Sequence, residues 1–332
     1  MTNLATVYSY QGKYADAESL SAQVLEIKRR VLGKEHPETL TSMQNLAFLC
    51  RQQGKFAEAE SLSTSVLEIR RRVLGEAHPA TLASMHELAS AYSEEGKDAE
   101  AESLSIKVYE IRQRVLGETH PDTLLSMNNL AVVYLRDRKF KQAEQCFTKV
   151  LEVQQRTLGE QHPNTLDSMG NLAVAYQNEG NYAKAELWSA KVLELRRRAL
   201  GEAHPDTLLS MHNLAAVYRK QGKYVQSEPL LREAINGYQQ TKSDAWLMYA
   251  CQTMLGNSLA EQKKYSEAEP FLLSGYFGMI QRQSSIPASI RATKLDQAGN
   301  WTVQLYQDWG KPEKAAEWKR KLRANAGTAG KG

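Results

Sequence analysis

One phrase returns through this chain every 42 residues and constrains the fold more than any other feature. Leu-Gly-x-x-His-Pro-x-Thr-Leu begins at Leu32, Leu74, Leu116, Leu158 and Leu200, placing its glycines at Gly33, Gly75, Gly117, Gly159 and Gly201 without a slip. A fixed period between about 20 and 50 residues is the mark of a solenoid, in which each unit buries its apolar face only by stacking on its neighbours. Such a chain grows linearly, so its 332 residues do not imply two globular domains. The period also bears on chemistry. A reaction centre is needed once, whereas this phrase occurs five times.

One unit, Thr123 to Leu158, reads as a helical hairpin. Leu124, Met127, Leu130, Ala131 and Tyr134 fall on one face of a 3.6-residue helix, and Phe140, Ala143, Phe147, Val150, Leu151 and Leu158 form a second stripe. Between the stripes lies a turn that other units spell Gly-Lys-Phe or Gly-Lys-Tyr (Gly54-Lys55-Phe56, Gly222-Lys223-Tyr224), where glycine supplies the left-handed residue that ends a helix. The expected unit is a helix A of about 15 residues and a helix B of about 18, roughly 22 and 27 Å long. Alanines recur at 47, 89, 131, 173 and 215 on helix A and at 17, 59, 101, 143 and 185 on helix B, where two helices approach closely.

The recurring phrase is then the joint between hairpins. Gly33 and its equivalents follow helix B where positive φ is wanted, and Pro37 and its equivalents open the next helix A, where a missing N–H costs nothing. Thr39 and its equivalents are placed to bond first-turn N–H groups. His36, His78, His120, His162 and His204 are expected to pack and hydrogen-bond within the turn. They recur one helix-packing distance apart, about 8–10 Å, too far to share a metal ion. His86 and His212 fall outside the joint, and they too are too far apart to complete a site. No metal or other cofactor is expected.

Helix B ends in Glu-to-Arg pairs at i, i+4 (Glu26–Arg30, Glu68–Arg72, Glu110–Arg114, Glu152–Arg156, Glu194–Arg198), each adding about 0.2–0.5 kcal/mol. The runs Arg70-Arg71-Arg72 and Arg196-Arg197-Arg198 read as a solvated basic edge matched to the helix dipole. A net charge of +4 is too small to argue for nucleic acid. Cys50, Cys146 and Cys251 are odd in number and scattered, which fits a reducing, cytoplasmic setting. No apolar run reaches a membrane-spanning length, and the opening residues lack a signal-peptide layout. Met1-Thr2-Asn3-Leu4-Ala5 aligns with Met43-Gln44-Asn45-Leu46-Ala47, so the chain is expected to begin inside a repeat.

The Asn-Leu-Ala-x-x-Tyr helix, the Gly-Lys-Tyr turn and the alanine of the second helix resemble a tetratricopeptide repeat, and the 42-residue form resembles the kinesin-light-chain type. The resemblance covers six repeats over residues 1–240, the first truncated. Two degenerate repeats follow over 241–323, read as a C-terminal cap anchored by Trp246, Trp301, Trp309 and Trp318, and then a disordered tail over 324–332. That ending resembles repeat arrays attached to bacterial serine/threonine kinases, although no kinase motif is present. The family implies an all-α, α-solenoid fold, a right-handed superhelix of antiparallel helix pairs. Its A helices would line a concave groove that holds extended peptide segments of other proteins.

On that resemblance the groove carries an asparagine row (Asn3, Asn45, Asn129, Asn171, Asn213, interrupted by Glu87) that can bond both groups of a ligand's peptide units. The other reading of these asparagines is bonding to an adjacent repeat. Phe48, Val132 and Val174, with Ser90 and Ala216, would form side-chain pockets one turn along. Arg51, Arg136, Arg219 and Lys220, opposed by Glu94, would make the groove mildly basic, so the expected partner is an extended, mildly acidic peptide or protein segment. The expected function is a non-catalytic interaction scaffold. The alternatives are an RNA-binding helical repeat and the sensing arm of a larger signalling protein. A hydrolase is disfavoured, because the histidines are replicated joints and no nucleophile elbow accompanies them.

Overall fold

The computed structural model describes residues 2–10 and 13–329, with the side chains of 4–9, 13–287 and 290–323. No strand occurs among the described residues. The helices group into two compact units, Met1–Thr157 and Leu158–Gly332.

The first unit holds α1 (Thr2–Tyr10), α2 (Tyr14–Leu32), α3 (Pro37–Gln52), α4 (Phe56–Leu74), α5 (Pro79–Glu95), α6 (Asp98–Leu116), α7 (Pro121–Arg136) and α8 (Phe140–Thr157), each packed on the next. Odd-numbered helices are helix A and even-numbered ones helix B. The predicted stripes are the core: Leu124, Met127, Leu130, Ala131, Ala143, Phe147, Val150 and Leu151 are all buried. Leu158 departs from this expectation and is exposed, as are its equivalents Leu32, Leu74, Leu116 and Leu200 at the last residue of helix B.

The second unit holds α9 (Pro163–Glu179), α10 (Tyr182–Leu200), α11 (Pro205–Lys220), α12 (Tyr224–Gln240), α13 (Trp246–Glu261), α14 (Tyr265–Gln281), a 3-10 turn at Gln283–Ser285, α15 (Ala288–Asp308) and α16 (Pro312–Ala329). One continuous core runs from Leu193 to Trp318. Helices α13 and α14 approach closely through glycine: a Cβ on Gly275 would stand 2.7 Å from both Thr253 N and Tyr249 O. Trp318 is buried edge-on to Tyr276 at 5.1 Å, and Trp309 stacks on Tyr265 at 6.1 Å. Helix α16 runs through Ala329, and residues 330–332 of the expected tail lie outside the described residues. The chain is an all-α repeat solenoid.

At the joints the histidine proves to be the helix cap. Nδ1 of His36, His78, His120, His162 and His204 accepts a hydrogen bond from the backbone N–H two residues on, at 3.1–3.2 Å. The threonines expected in that role are fully buried instead. Thr81 donates to the Gly75 carbonyl at 2.8 Å, and the hydroxyl oxygens of Thr39, Thr123, Thr165 and Thr207 have no hydrogen-bond partner. Threonine at the third helical position points its side chain into the stack, away from the N–H groups it would have to reach. The glycines hold φ of +87° to +93° at Gly33, Gly75, Gly117, Gly159 and Gly201.

The arginine runs are not a uniform solvated edge. The first arginine of each run turns inward: Arg70 and Arg196 are buried, and each donates Nη1 to a carbonyl and a serine hydroxyl of the following helix A. Arg112 makes the same bridge to the Asp122 carbonyl and Ser126. The second and third arginines pair outward, Arg71 with Glu76, Arg72 with Glu35, Arg197 with Glu202 and Glu233. Of the five predicted i, i+4 pairs, Glu194–Arg198 alone closes among the described residues, because the others lose to acids across the joint or to solvent. A different pairing repeats instead. The turn lysine reaches back to a helix-B glutamate of the preceding hairpin, as in Lys55–Glu18 (2.7 Å), Lys97–Glu60 (2.6 Å) and Lys223–Glu186 (2.7 Å).

Candidate functional site

Each A helix has one face turned away from its B partner, and the burial pattern identifies it. On α3 the exposed positions are Thr41, Asn45 and Phe48; on α7 they are Leu125, Val132 and Arg136, with Asn129 half-buried among them. On α9 they are Asp167 and Val174 beside Asn171, and on α11 the same face carries Asn213 and Lys220. Steps of three and four residues keep each set on one side of its helix. The predicted asparagine and apolar rows therefore share a single face within each unit. Asn3 lies outside the described side chains. Leu125, 52% exposed and four residues before Asn129, also belongs to this face.

The polar members differ in how far they are already engaged. Asn45 and Asn213 make no hydrogen bond among the described residues. Asn129 donates its amide to the His86 ring at 3.3 Å, which is the adjacent-repeat bonding that competed with ligand binding at the sequence level. Burial holds the His86 pKa below the ordinary imidazole value, so the ring is a neutral partner.

The cations are not equivalent either. Arg51 lies between Glu87 and Glu94, with contacts of 3.6 and 3.4 Å, so its charge is met within the unit. Arg136 gives Nη1 to the Ser93 carbonyl at 3.0 Å. In the second unit Arg219 donates Nε to Asn257 Oδ1 at 3.1 Å and stacks over Trp301 with its guanidinium carbon 4.3 Å from the ring centre. Burial lowers its pKa to about 10. Lys294 on α15, absent from the predicted site, approaches Arg219 and Lys220, and burial with those two charges holds its pKa below the ordinary lysine value. Sequence periodicity could not reveal it, because α15 follows the break in the repeat.

Two further clusters have the residue types of a reactive or metal site. Glu18, Cys50 and Glu58 bring ligand atoms within 4.8 Å of one another. Glu18 is held there by Lys55 and Gln53, and burial pushes the Cys50 thiol up to about 11. The set is thus a hydrogen-bonded cluster whose thiol stays protonated, in a column that other repeats fill with Tyr92, Tyr134, Tyr176 and Tyr218. His212 Nδ1 lies 3.3 Å from Cys251 Sγ. Burial lowers the histidine to about 3 and raises the thiol to about 12, so both are neutral and sealed from solvent. Neither cluster is an activated nucleophile. No helix among the described residues is long and apolar enough to cross a membrane.

Comparisons with known proteins agree with this architecture. No curated protein matches the chain at a significant level. Among solved structures, nearly identical kinesin-light-chain-type TPR-like repeats of Podosopora anserina are 33% identical, with 62% of this chain covered, 98% of that one, and a TM-score of 0.54. BtubC (BKLC) of P. vanneervenii is 23% identical, covering 69% of this chain and 92% of its own, with a TM-score of 0.57. The apo form of the quorum sensor NprR from B. thuringiensis, 14% identical over 97% of this chain and 86% of its own, has a TM-score of 0.63 and shares the fold. The tetratricopeptide repeat family matches residues 1–72, 44–105, 81–156, 126–191 and 168–240 in overlapping registers. The chain belongs to the tetratricopeptide repeat family, as a repeat scaffold of the protein-interaction kind.

Proposed function

We propose that the exposed A-helix face within each unit holds an extended segment of another protein, and that the chain performs no catalysis itself. The observation that carries this reading is the pairing of an asparagine row with an exposed apolar row one turn away. Phe48, Val132 and Val174 are 38–40% exposed on helices whose other large apolar residues are mostly buried. Asn45 and Asn213 keep an amide donor and a carbonyl acceptor free for a ligand backbone, in a sequence-independent way. The apolar row then selects ligand side chains. Engagement of Asn129 by His86 and of Arg51 by two glutamates leaves Asn45 in the first unit and Asn213 in the second as the receptive members of the row. The cation Lys220, with no carboxylate partner among the described residues, favours a mildly acidic ligand, and the three free cysteines fit a reducing, cytoplasmic setting.

An array of immobilised nonapeptides probed with the full chain tests this reading. The expected result is a set of binders whose affinity falls at least tenfold in the Asn45→Ala/Asn213→Ala variant, with the melting temperature unchanged. Binders that keep their affinity in that variant would refute the groove assignment.

A further inference from the structure

Between the B helices α10 and α12 the second unit has an open cleft of about 580 Å³. Leu193 of α10 and Leu214 of α11 form its nearly buried base, and Ala190, Tyr218 and Leu230 line it higher up, half-buried. None of these residues belongs to the asparagine row or the apolar row of the proposed peptide face. The cleft is a separate surface.

The next hairpin shows what the chain itself places in such a cleft. The recurring turn pairs Lys223–Glu186 and Lys264–Glu228 set the alignment, by which Ala190 of α10 becomes Arg232 of α12 and Leu230 of α12 becomes Phe271 of α14. There the Arg232 guanidinium stands over the Phe271 ring, 5.6 Å from its centre. Glu228 at 2.9 Å and Glu267 at 3.6 Å hold the guanidinium in that position. A cation over an aromatic face is attracted by the ring quadrupole. Between α10 and α12 both members of this pair are cut back, one to a methyl group and the other to an isobutyl group. The volume that a flat ring occupies in one hairpin is therefore open in the other, above an apolar base. Side chains facing such a gap lose dispersion contacts that an inserted ring would restore.

The mouth of the cleft carries Arg197, Arg198 and Gln226. Both arginines are already engaged, Arg197 with Glu202 at 2.8 Å and Glu233 at 2.6 Å, and Arg198 with Glu194. Gln226 is exposed and makes no side-chain hydrogen bond among the described residues. Its amide offers donors and an acceptor to whatever enters. A mostly apolar cleft of about 300–1,000 Å³ with a few polar groups at its rim is the usual form of a small-molecule site.

We propose that the α10–α12 cleft binds a planar aromatic small molecule that carries a hydrogen-bonding group on its edge. The ring takes the place that Phe271 fills one hairpin later, over Leu193 and Leu214, and the polar edge meets Gln226. This site goes beyond the peptide-binding reading and does not depend on it.

The test is a fluorine NMR titration of 6-fluoro-2-naphthol with the full chain. One saturable equivalent is expected, displaced by 2-naphthol at least tenfold better than by its saturated counterpart decahydro-2-naphthol, about 1.4 kcal/mol. Ala190→Arg/Leu230→Phe rebuilds the filled cleft and is expected to weaken the probe at least tenfold; Leu230→Phe alone should give an intermediate loss. Gln226→Ala, a change at an exposed side chain, should weaken the probe about threefold at an unchanged melting temperature. Arg232→Ala/Phe271→Leu empties the next cleft and is expected to add a second equivalent of bound probe. Absence of saturable binding, equal displacement by the saturated alcohol, or an affinity unchanged by both Leu230→Phe and Gln226→Ala would each overturn the proposal. A folded Arg232→Ala/Phe271→Leu protein that still binds one equivalent would refute the argument that Phe271 marks the ligand's place.

Discussion

Replacing His78 by alanine isolates the capping role of the joint histidine more cleanly than any other change. Helix α5 opens at Pro79, which has no N–H, and its next donor, Ala80 N, bonds His78 Nδ1 at 3.1 Å. The following donors are satisfied by backbone: Thr81 N and Leu82 N both reach the His78 carbonyl, at 2.9 and 3.0 Å. His78→Ala therefore removes one capping bond and no other. Loss of such a cap costs about 0.5–2 kcal/mol, typically near 1, so protection of the α5 amides against hydrogen exchange should fall about fivefold. His78→Asp restores a short-side-chain acceptor at the N-cap and should recover most of that loss, helped by the helix dipole. Mass-spectrometric exchange on the three proteins reads this directly. Unchanged protection in His78→Ala, or an aspartate no better than alanine, would refute the capping argument.

Further outcomes follow from packing and charge in the second unit. Gly275→Ala places a Cβ 2.5 Å from Thr253 Cγ2 and 2.7 Å from two backbone atoms, so α13 and α14 must part; urea unfolding should show a loss of about 1–3 kcal/mol. Arg196→Met strips the Nη1 bonds to the Asp206 carbonyl (3.2 Å) and Ser210 Oγ (2.9 Å) and should cost about 1.5–3 kcal/mol, read from the same transition. Burial depresses His212 from 6.5 to about 3. Its neutral form is thus the folded form, and the associated stability is present above pH 6.5 and lost as pH falls toward 3. Stability of the wild type should drop relative to His212→Gln by up to about 1.4 kcal/mol per pH unit below that point; parallel curves for the two proteins would contradict the assignment.

The hairpin architecture was legible in the sequence because the period is unbroken: one reading of Thr123–Leu158 applies to every copy. The exposed rows were legible for the same reason, since Asn45, Asn129, Asn171 and Asn213 inherit one place on equivalent helices. What escaped was everything decided by side-chain direction. Histidine and threonine both stood near the first turn, and only rotamer geometry assigns the cap to the imidazole and buries the hydroxyl. Arg70, Arg71 and Arg72 looked alike in a row, but a helix turns each by about 100°, so one faces the next hairpin and two face acids or water. Lys294 and Trp301 were out of reach, because they lie beyond the point where the period fails and come to Arg219 only through the folding of α15 over α13.

Photo-cross-linking tests the central claim most directly. A benzoylphenylalanine placed singly at Val174 or Ala216, on the proposed binding face, is compared with one at Leu187 or Val225, which are 67% and 72% exposed on helices α10 and α12. With a nonapeptide selected from the array, the account predicts covalent capture from Val174 and Ala216 and none from Leu187 or Val225. Capture from the helix-B positions, with none from the A-helix positions, would contradict it.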